Sequence, residues 1–151
     1  MPPILPRETA TAAVMDLLRT VDDVRRFLAR VVEPQGVTLQ QFNVLRILRG
    51  AERGTPPIGL PTLEIAERMI ERAPGITRLL DRLESAGLVS RKRSGEDRRI
   101  VHCSITRQGL ATLTALDEPV RTLGHRRVSR LSKSEISKLL QLLDRIREGG
   151  A

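Results

Sequence analysis

The sequence predicts a mainly α-helical protein with one small β-hairpin. Long segments at both ends of the chain place apolar residues at helical spacings of three and four, and one pair of β-rich runs, 89–93 and 100–106, flanks a turn. Aromatic residues make up only 1% of the chain and hydrophobic residues 40%, so the core must be aliphatic. A chain of 151 residues suits one compact domain, or one domain with added dimerisation helices.

The first predicted element is a long helix from Thr9 to Val32, preceded by a flexible arm, residues 1–8. Its apolar residues keep helical spacing over more than five turns of about 3.6 residues each. These residues are Val14, Leu17, Leu18, Val21, Val24, Leu28 and Val31. One small domain cannot cover so long a stripe, which favours pairing with a second copy of the chain. A monomeric helical bundle is the alternative.

Two shorter helices are predicted next, at 38–48 (TLQQFNVLRIL) and 62–69 (TLEIAERM), with Thr62 near the cap of the latter. The connection from Gly50 to Pro61 contains two clusters of glycine and proline, which predict a rigid loop rather than another element. The helix at 62–69 is expected to support its neighbour. Its predicted buried contacts are Ile65, Ala66 and Met69 against Ile76 and Leu80.

The next predicted element is an amphipathic helix that ends near Ala86, where Gly87 supplies a left-handed stop. Its apolar stripe consists of Ile76, Leu79, Leu80 and Leu83. Its other side carries Thr77, Arg78, Asp81 and Arg82, which are free to contact a ligand. We expect Pro74 to lie in the first helical turn, where its absent N–H would be unpaired anyway. Gly75 is expected to let the backbone approach a groove closely.

A basic hairpin follows this helix, with strands at 89–93 and 100–106 and turn residues from Ser94 to Asp97. The cations that flank the turn are Arg91, Lys92, Arg93, Arg98 and Arg99. Five cations against Glu96 and Asp97 repel one another unless an anion is nearby, and DNA phosphate is a plentiful anion. A solvated hairpin without a ligand is the alternative. A groove-sized helix beside a basic ribbon favours double-stranded DNA.

Two more helices complete the predicted fold. The first runs from Thr106 to about Leu123, and Pro119 is expected to kink or divide it. The second begins after a start signal and continues to the glycine pair near the end of the chain. That start signal consists of Ser132, Ser134 and Glu135. The apolar stripe of this helix consists of Ile136, Leu139, Leu140, Leu142, Leu143 and Ile146.

Composition limits the classes of function. The formal charge of +8, from 26 basic and 18 acidic residues, indicates an anionic partner. No segment approaches the roughly 20 apolar residues that span a bilayer, and no signal peptide is visible, so a cytoplasmic protein without membrane contact is expected. Two histidines and one cysteine, without a recognisable catalytic setting, argue against an enzyme, a metal site or a cofactor.

The single cysteine, Cys103, fits a reducing compartment. Strand alternation places it on one face with Val101 and Ile105, so the expected role is that of a small buried apolar residue. A redox sensor is the alternative. His102 and Cys103 diverge as strand neighbours, and the distant His125 is expected to be exposed.

The run DRLESAGLVSRKRSGEDRRIVHCSIT, followed by RQG, resembles the recognition-helix end and wing of the MarR family of winged helix-turn-helix regulators. The motifs that carry the resemblance are D-R-L-E, G-L-V, the D-x-R of Asp97 and Arg99, and Thr106 with Gly109 behind it. The resemblance extends over nearly the whole chain. It implies a winged helix-turn-helix DNA-binding domain at 37–106 and N- and C-terminal dimerisation helices at 9–36 and 107–148.

This resemblance implies a homodimeric, sequence-specific transcriptional regulator, usually a repressor of a palindromic operator that a small-molecule effector releases. In a dimer, recognition helices about 34 Å apart match successive major grooves. The family's ligands are often aromatic acids, but this chain has no tyrosine or tryptophan. An apolar pocket with Arg25 or Arg26 nearby could hold an anion instead. A sequence-indifferent, nucleoid-type DNA-binding protein and a winged helix used for protein contact are the alternatives.

The candidate DNA contacts form two groups. In the recognition helix they are Pro74, Gly75, Thr77, Arg78 and Arg82, and in the wing they are Arg91, Lys92, Arg93, Arg98 and Arg99. Arg78 is the first candidate for base reading, with a phosphate contact as its alternative. Arg98 is the candidate for the minor groove. By resemblance, Arg99 is braced by Asp97 or contacts phosphate.

Overall fold

A computed structural model of the chain describes residues 7–52, 59–72 and 74–149. It confirms the predicted fold class, because the described residues form six α-helices and one small antiparallel sheet. The helices are α1 (Arg7–Val32), α2 (Leu39–Ala51), α3 (Thr62–Arg68), α4 (Ile76–Ser85), α5 (Arg107–Val128) and α6 (Lys133–Glu148). The strands are β1 (Leu60–Pro61), β2 (Val89–Arg93) and β3 (Val101–Ile105), in the spatial order β1-β3-β2.

Helix α1 begins two residues earlier than expected, so Arg7 and Glu8 are helical rather than part of the arm. The remainder of the predicted arm lies outside the described residues. A short 3-10 turn, Glu33–Gln35, follows α1 and ends at Gly36, whose φ of 79° lies in the left-handed region. This turn ends α1 and connects it to α2.

Helix α2 lies at the centre of the core. Thr38 and Gln41 form a capping box at its start, as each side chain accepts a hydrogen bond from the other's backbone N–H. The helix continues to Ala51, three residues past its predicted end. Its buried apolar side chains are Phe42, Val44, Leu45 and Leu48. They belong to one aliphatic core that also contains Leu113 and Leu116 of α5.

Part of the segment expected to be a loop is a strand. Leu60 and Pro61 pair antiparallel with β3, Leu60 opposite Cys103. Gly59, next to this strand, has a φ of 79°, and a Cβ there would lie 2.4 Å from Ser104 Oγ. A two-residue strand carries no period-two pattern, and its partner is distant in the chain, which explains the wrong prediction. Residues 53–58 of the predicted loop lie outside the described residues.

Helices α3 and α4 form the expected helix-turn-helix, with one correction at the start of α4. Pro61 occupies the cap of α3, and Thr62 is the first helical residue. Pro74 lies before α4 rather than in its first turn, because Gly75 caps α4 with a φ of 139° that no helix contains. Ile65 and Met69 are buried as predicted, while Ala66 is half-buried.

The hairpin has the predicted first strand and a longer turn than expected. Val89 lies opposite Ile105 and Arg93 opposite Val101. The turn is closed by a hydrogen bond of 2.8 Å from Ser94 N to Ile100 O. Arg98 and Arg99 therefore lie within the turn, and β3 begins one residue later than predicted.

Helix α5 continues through Pro119 to Val128, so proline does not divide it, and the alternative of a kink stays a prediction. Proline removes one hydrogen bond, but Leu113 and Leu116 of the preceding turns are anchored in the core. Helix α6 begins at the predicted signal, with a capping box between Ser132 and Glu135. It buries none of its own residues within the described structure. No described helix has the length and apolar character required to cross a bilayer.

Candidate nucleic-acid interface

Helix α4 presents three different stripes. Leu79, Leu80 and Leu83 are buried and fix the helix on the core. Arg78 and Arg82, one helical turn apart, are exposed. The third stripe carries two carboxylates, Asp81 and Glu84, that face the wing. The buried stripe thus holds the helix in place while the arginine stripe stays open to a ligand.

Arg91 joins the wing to α4. Its Nη2 lies 2.6 Å from Asp81 Oδ1 and 2.6 Å from Glu84 Oε2, and its Nε lies 2.9 Å from the same Glu84 oxygen. The side chain is 23% exposed, and these hydrogen bonds, first to Glu84 and then to Asp81, raise the pKa of Arg91. Arg91 is therefore already paired in the structure, and its predicted contact with DNA stays a prediction. Its guanidinium connects β2 to α4.

The other four predicted wing cations are exposed: Lys92, Arg93, Arg98 and Arg99. The ion pairs formed by the described residues include none of these four side chains. A surface with these cations and the arginine stripe of α4 is suited to the negative charge of a duplex backbone.

Asp97 contacts Arg99 at the wing tip, although through a different atom than expected, and its role as a brace stays a prediction. Its Oδ1 accepts a hydrogen bond of 2.9 Å from the backbone N–H of Arg99, not from the guanidinium. Ser94 Oγ accepts hydrogen bonds from the backbone N–H groups of Glu96 (3.3 Å) and Asp97 (3.5 Å). Asp97 and Ser94 bond to backbone N–H groups of the turn rather than to guanidinium groups, so the side chains of Arg98 and Arg99 remain available.

The start of α4 is open to a ligand. Pro74, Gly75 and Thr77 are exposed, and a Cβ on Gly75 would meet nothing within 4 Å. No side chain caps this helix, so the N–H groups of its first turn have no capping partner. Free amides at a helix N-terminus attract phosphate oxygens, which adds to the positive surface formed by Arg78 and Arg82.

A second feature is a largely apolar cavity of about 400 Å³ between α1, α2, α6 and the segment that follows α3. Arg25 of α1 lines it and forms an ion pair with Glu71, in the segment that leads to α4. Arg26, the other candidate for holding an anion, instead pairs with Asp22 and Asp23 on the surface of α1. The apolar lining includes Leu17, Val21, Val24, Leu28, Leu139 and Leu143.

Cys103 is buried as predicted, with 0% of its surface exposed. Burial raises the pKa of its thiol to about 11, so the nucleophilic thiolate is scarce near neutral pH. His125 is exposed, also as predicted. Among residues 7–52, 59–72 and 74–149, no three His, Cys, Asp or Glu side chains are close enough to hold a metal ion.

Sequence reasoning missed the carboxylates that organise the interface. Asp81 was placed on the ligand side of α4, and Glu84 was given no role. Two acidic residues three apart, just before a basic strand, were a usable signal for pairing. Arg49 and Asp117 form a further bidentate pair, with both N···O distances 2.8 Å, between α2 and α5. These partners are separated by 68 positions, which no local pattern can detect.

Comparison with known proteins identifies the same region. The model of the MarR family matches residues 37–101, which contain α4 and most of the wing. The HTH-type transcriptional repressor MdtR of Bacillus subtilis (strain 168) is 38% identical over 78 residues, or 52% of this chain. That match covers 46% of the relative, so the chain spans about half the length of this protein.

Solved structures extend the similarity over almost the whole chain. A MarR transcription factor from Planctomyces limnophilus is 37% identical, with a TM-score of 0.67, and the match covers 95% of this chain and 98% of the other. A mutant MarR from E. coli, solved in complex with operator DNA, is 25% identical with a TM-score of 0.78. That match covers 94% of this chain and 99% of the other.

Proposed function

The chain belongs to the MarR family of transcriptional regulators, which are not enzymes, and from that premise we propose that it is a homodimeric cytoplasmic repressor. The dimer binds a palindromic operator and releases it when a small molecule binds. One observation carries the DNA-binding part: Arg91 holds an open arginine stripe on α4 beside a wing with four exposed cations.

In the proposed complex, α4 enters the major groove and the wing follows the backbone. Arg78 reads a base edge, for which a bidentate contact to guanine has the right geometry. Thr77 and Arg82 contact the same groove, while Pro74 and Gly75 bring the uncapped start of α4 close to phosphate. Arg98 reaches the minor groove. Lys92, Arg93 and Arg99 contact phosphates.

The two ends of the chain support the proposed dimer. Both terminal helices expose a row of large apolar side chains: Val14, Met15, Leu18, Val21, Leu139, Leu140, Leu142 and Ile146. Contiguous exposed apolar surface of this kind marks an association site. We therefore assign residues 7–36 and 107–148 to dimerisation and residues 37–106 to DNA binding. Two-fold symmetry would place the recognition helices about 34 Å apart, which implies an inverted repeat in the operator.

The cavity between α1 and α2 is the proposed effector site. Its apolar lining suits a hydrophobic body, and Arg25 suits an anionic head that competes with Glu71. Glu71 lies five residues before α4 in the sequence, so releasing it from α1 frees the segment that positions the recognition helix. The effector would favour a spacing of the two DNA-binding domains at which both cannot bind the operator together.

Selection of bound sequences from a random DNA pool tests the operator. We expect an enriched inverted repeat whose half-site centres are about one helical turn apart. With the Arg78→Ala variant, the selected repeat should show a weaker base preference at one position of each half-site. A pool without two-fold enrichment, with equal affinity for all duplexes at one salt concentration, would favour the alternative of a nucleoid-type DNA-binding protein.

Operator release tests the effector site, with decanoate as an anionic probe and decanol as its neutral counterpart. We expect decanoate to release operator DNA at lower concentration than decanol, measured by fluorescence anisotropy. Arg25→Ala should abolish the difference between the two probes. Arg26→Ala is the matched control and should retain it, because Arg26 does not line the cavity. Equal release by both probes from the unmodified protein would refute the anionic-head assignment.

A further inference from the structure

Helix α2 places one amide side chain against the cavity. Asn43 is 8% exposed, and among residues 7–52, 59–72 and 74–149 it is the only buried residue that is polar or charged. It lines the cavity between α1, α2 and α6, which is otherwise largely apolar. A buried amide lowers stability unless its donor and acceptor groups are bonded, so the partners of Asn43 decide its role.

The amide of Asn43 is bonded at one of its two ends. Its Nδ2 donates to the Met69 sulfur at 3.6 Å, which is the only hydrogen bond that this side chain forms with the described residues. A thioether sulfur is a weak acceptor. No fully enclosed polar side-chain atom in the described part of the chain lacks a partner, so Oδ1 must reach open space, and the space beside Asn43 is the cavity. Asn43 therefore offers the cavity a free acceptor and a weakly engaged donor.

The chain limits the distance between Asn43 and the proposed anion contact at Arg25. Asn43 contacts Met69, and Arg25 pairs with Glu71, two positions later. Two residues extend the backbone by at most about 7 Å. The two polar groups of the cavity thus have their contacts on one short stretch of backbone. A ligand that reaches both must carry its second polar group a few bonds from its anionic head.

The chemistry of the lining selects the rest of the ligand. A neutral amide offers no charge to compensate a second carboxylate, whereas a hydroxyl can donate to Oδ1 and accept from Nδ2. Among the described residues that line the cavity, Phe42 is the only aromatic one, and the other apolar side chains are aliphatic. The lining therefore suits an alkyl chain with one hydroxyl.

We propose that the cavity binds an aliphatic hydroxy acid and that Asn43 selects its hydroxyl. The inference rests on the proposed effector site and adds the second polar contact and the class of effector. The carboxylate faces Arg25, the hydroxyl replaces the Met69 sulfur as the partner of Asn43, and the alkyl chain lies among the leucines and valines. Because Met69 is the residue that ends α3, this exchange removes one contact between α2 and the helix-turn-helix.

Two isomeric probes test the position of the hydroxyl. The hydroxyl of 5-hydroxydecanoate lies near the carboxylate and that of 10-hydroxydecanoate at the far end, so the probes share charge and composition. We expect the 5-hydroxy isomer to release a selected operator at a concentration about threefold to tenfold lower, the effect of one hydrogen bond, measured by fluorescence anisotropy. Equal release by the two isomers from the unmodified protein would overturn the inference.

Amide-to-leucine variants assign the effect to Asn43. Asn43→Leu should abolish the difference between the isomers, because leucine has a similar branched shape and no hydrogen-bonding group. Release by decanoate should persist in this variant, which separates the lost contact from a folding defect. Gln35→Leu, at an exposed position outside the cavity, is the matched control and should keep the difference. A difference that persists in Asn43→Leu would refute the role of Asn43.

The asparagine content of the chain gives a direct measurement on the unmodified protein. Asn43 is its only asparagine, so labelling with nitrogen-15 asparagine gives one side-chain amide group in NMR spectra. We expect 5-hydroxydecanoate to shift its signals further than 10-hydroxydecanoate. If decanoate and both isomers neither release the operator nor move these signals, the proposed effector site fails and the inference with it. If decanoate releases the operator but the two isomers act alike, only the hydroxyl assignment fails.

Discussion

Neighbouring cations on β2 have opposite environments. The Arg91 side chain is mostly covered and bonded to two carboxylates, whereas Lys92 and Arg93 are exposed. The cause is the alternation of side chains along a strand, combined with the position of α4 on one side of the hairpin. A count of basic residues therefore overstates the number that can contact DNA, and the burial of each guanidinium decides its role.

At the residue scale, the role of Arg78 can be separated from general electrostatics. Arg78→Ala should reduce discrimination between operator and random duplex by about 1–3 kcal/mol, because a bidentate base contact is lost. Fluorescence anisotropy with both duplexes at one salt concentration measures this. Arg121→Ala, which removes an exposed arginine paired with Glu118 on α5, should change neither affinity. An equal loss for both duplexes would instead assign Arg78 to phosphate.

Cys103 should make stability depend on pH at the alkaline end. The folded thiol has a pKa raised to about 11 from its ordinary value of 9.0, so it keeps its proton where the unfolded thiol has lost it. Stability should therefore fall as the pH rises through this window, by about 2 kcal/mol at its upper end. The free energy of unfolding, measured by urea denaturation at several alkaline pH values, should fall less steeply with pH for Cys103→Ala than for the unmodified protein. The same fall in unfolding free energy with pH in both proteins would contradict the burial of the Cys103 thiol.

At the scale of elements, Gly109 lets α5 start directly against the wing. A Cβ there would lie 2.2 Å from Leu88 O and 2.8 Å from Ile105 Cγ1. We expect Gly109→Ala to lower the free energy of unfolding by about 1–3 kcal/mol, since backbone cannot yield easily. Gly124→Ala, in open space on the same helix, should raise it by about 0.5–1 kcal/mol. Equal changes in the free energy of unfolding for the two variants, measured by chemical denaturation, would show that the atoms around position 109 move aside at no cost.

The ion pairs of Arg91 with Asp81 and Glu84, which hold β2 against α4, predict how DNA affinity should depend on salt concentration. Arg91→Gln should weaken DNA binding by loosening the wing, while the slope of log affinity against log salt stays unchanged. Arg99→Gln should reduce that slope by about 0.9, as expected for one lost phosphate contact. Titrations at several salt concentrations compare the two variants. A reduced slope for Arg91→Gln would mean that Arg91 contacts phosphate after all.

At the scale of the whole molecule, two ion pairs join the reading part of the chain to the long terminal helices. Arg49 and Asp117 connect α2 to α5, and Arg25 and Glu71 connect α1 to the segment before α4. The bond to Arg49 lowers the pKa of Asp117, which keeps this carboxylate charged. These two ion pairs are therefore the contacts through which the proposed effector would act on the recognition helix.

Oligomeric state is the test at this scale. Leu140 is 58% exposed on α6, so Leu140→Glu should break the proposed dimer and weaken operator binding, because two half-sites can no longer be bound together. Lys138→Glu, at an exposed charged position of the same helix, is the control and should leave the dimer intact. Sedimentation velocity gives the mass of each variant. A monomeric unmodified protein with full DNA affinity would contradict the dimer.

The sequence by itself determined the helices, the first wing strand, the helix start at Ser132, and the burial of Cys103. Each of these depends on local spacing or on capping chemistry, which a linear pattern records. It also determined the family, because the wing motifs are contiguous.

Only the tertiary structure decided which charges are paired, where β1 joins the sheet, and which arginine lines the cavity. Glu84 and Arg91, Leu60 and Cys103, and Arg49 and Asp117 are brought together by packing of the apolar core, not by sequence spacing. An ion pair forms only where the backbone places both partners within a few ångströms of each other, and that placement is a property of the whole fold.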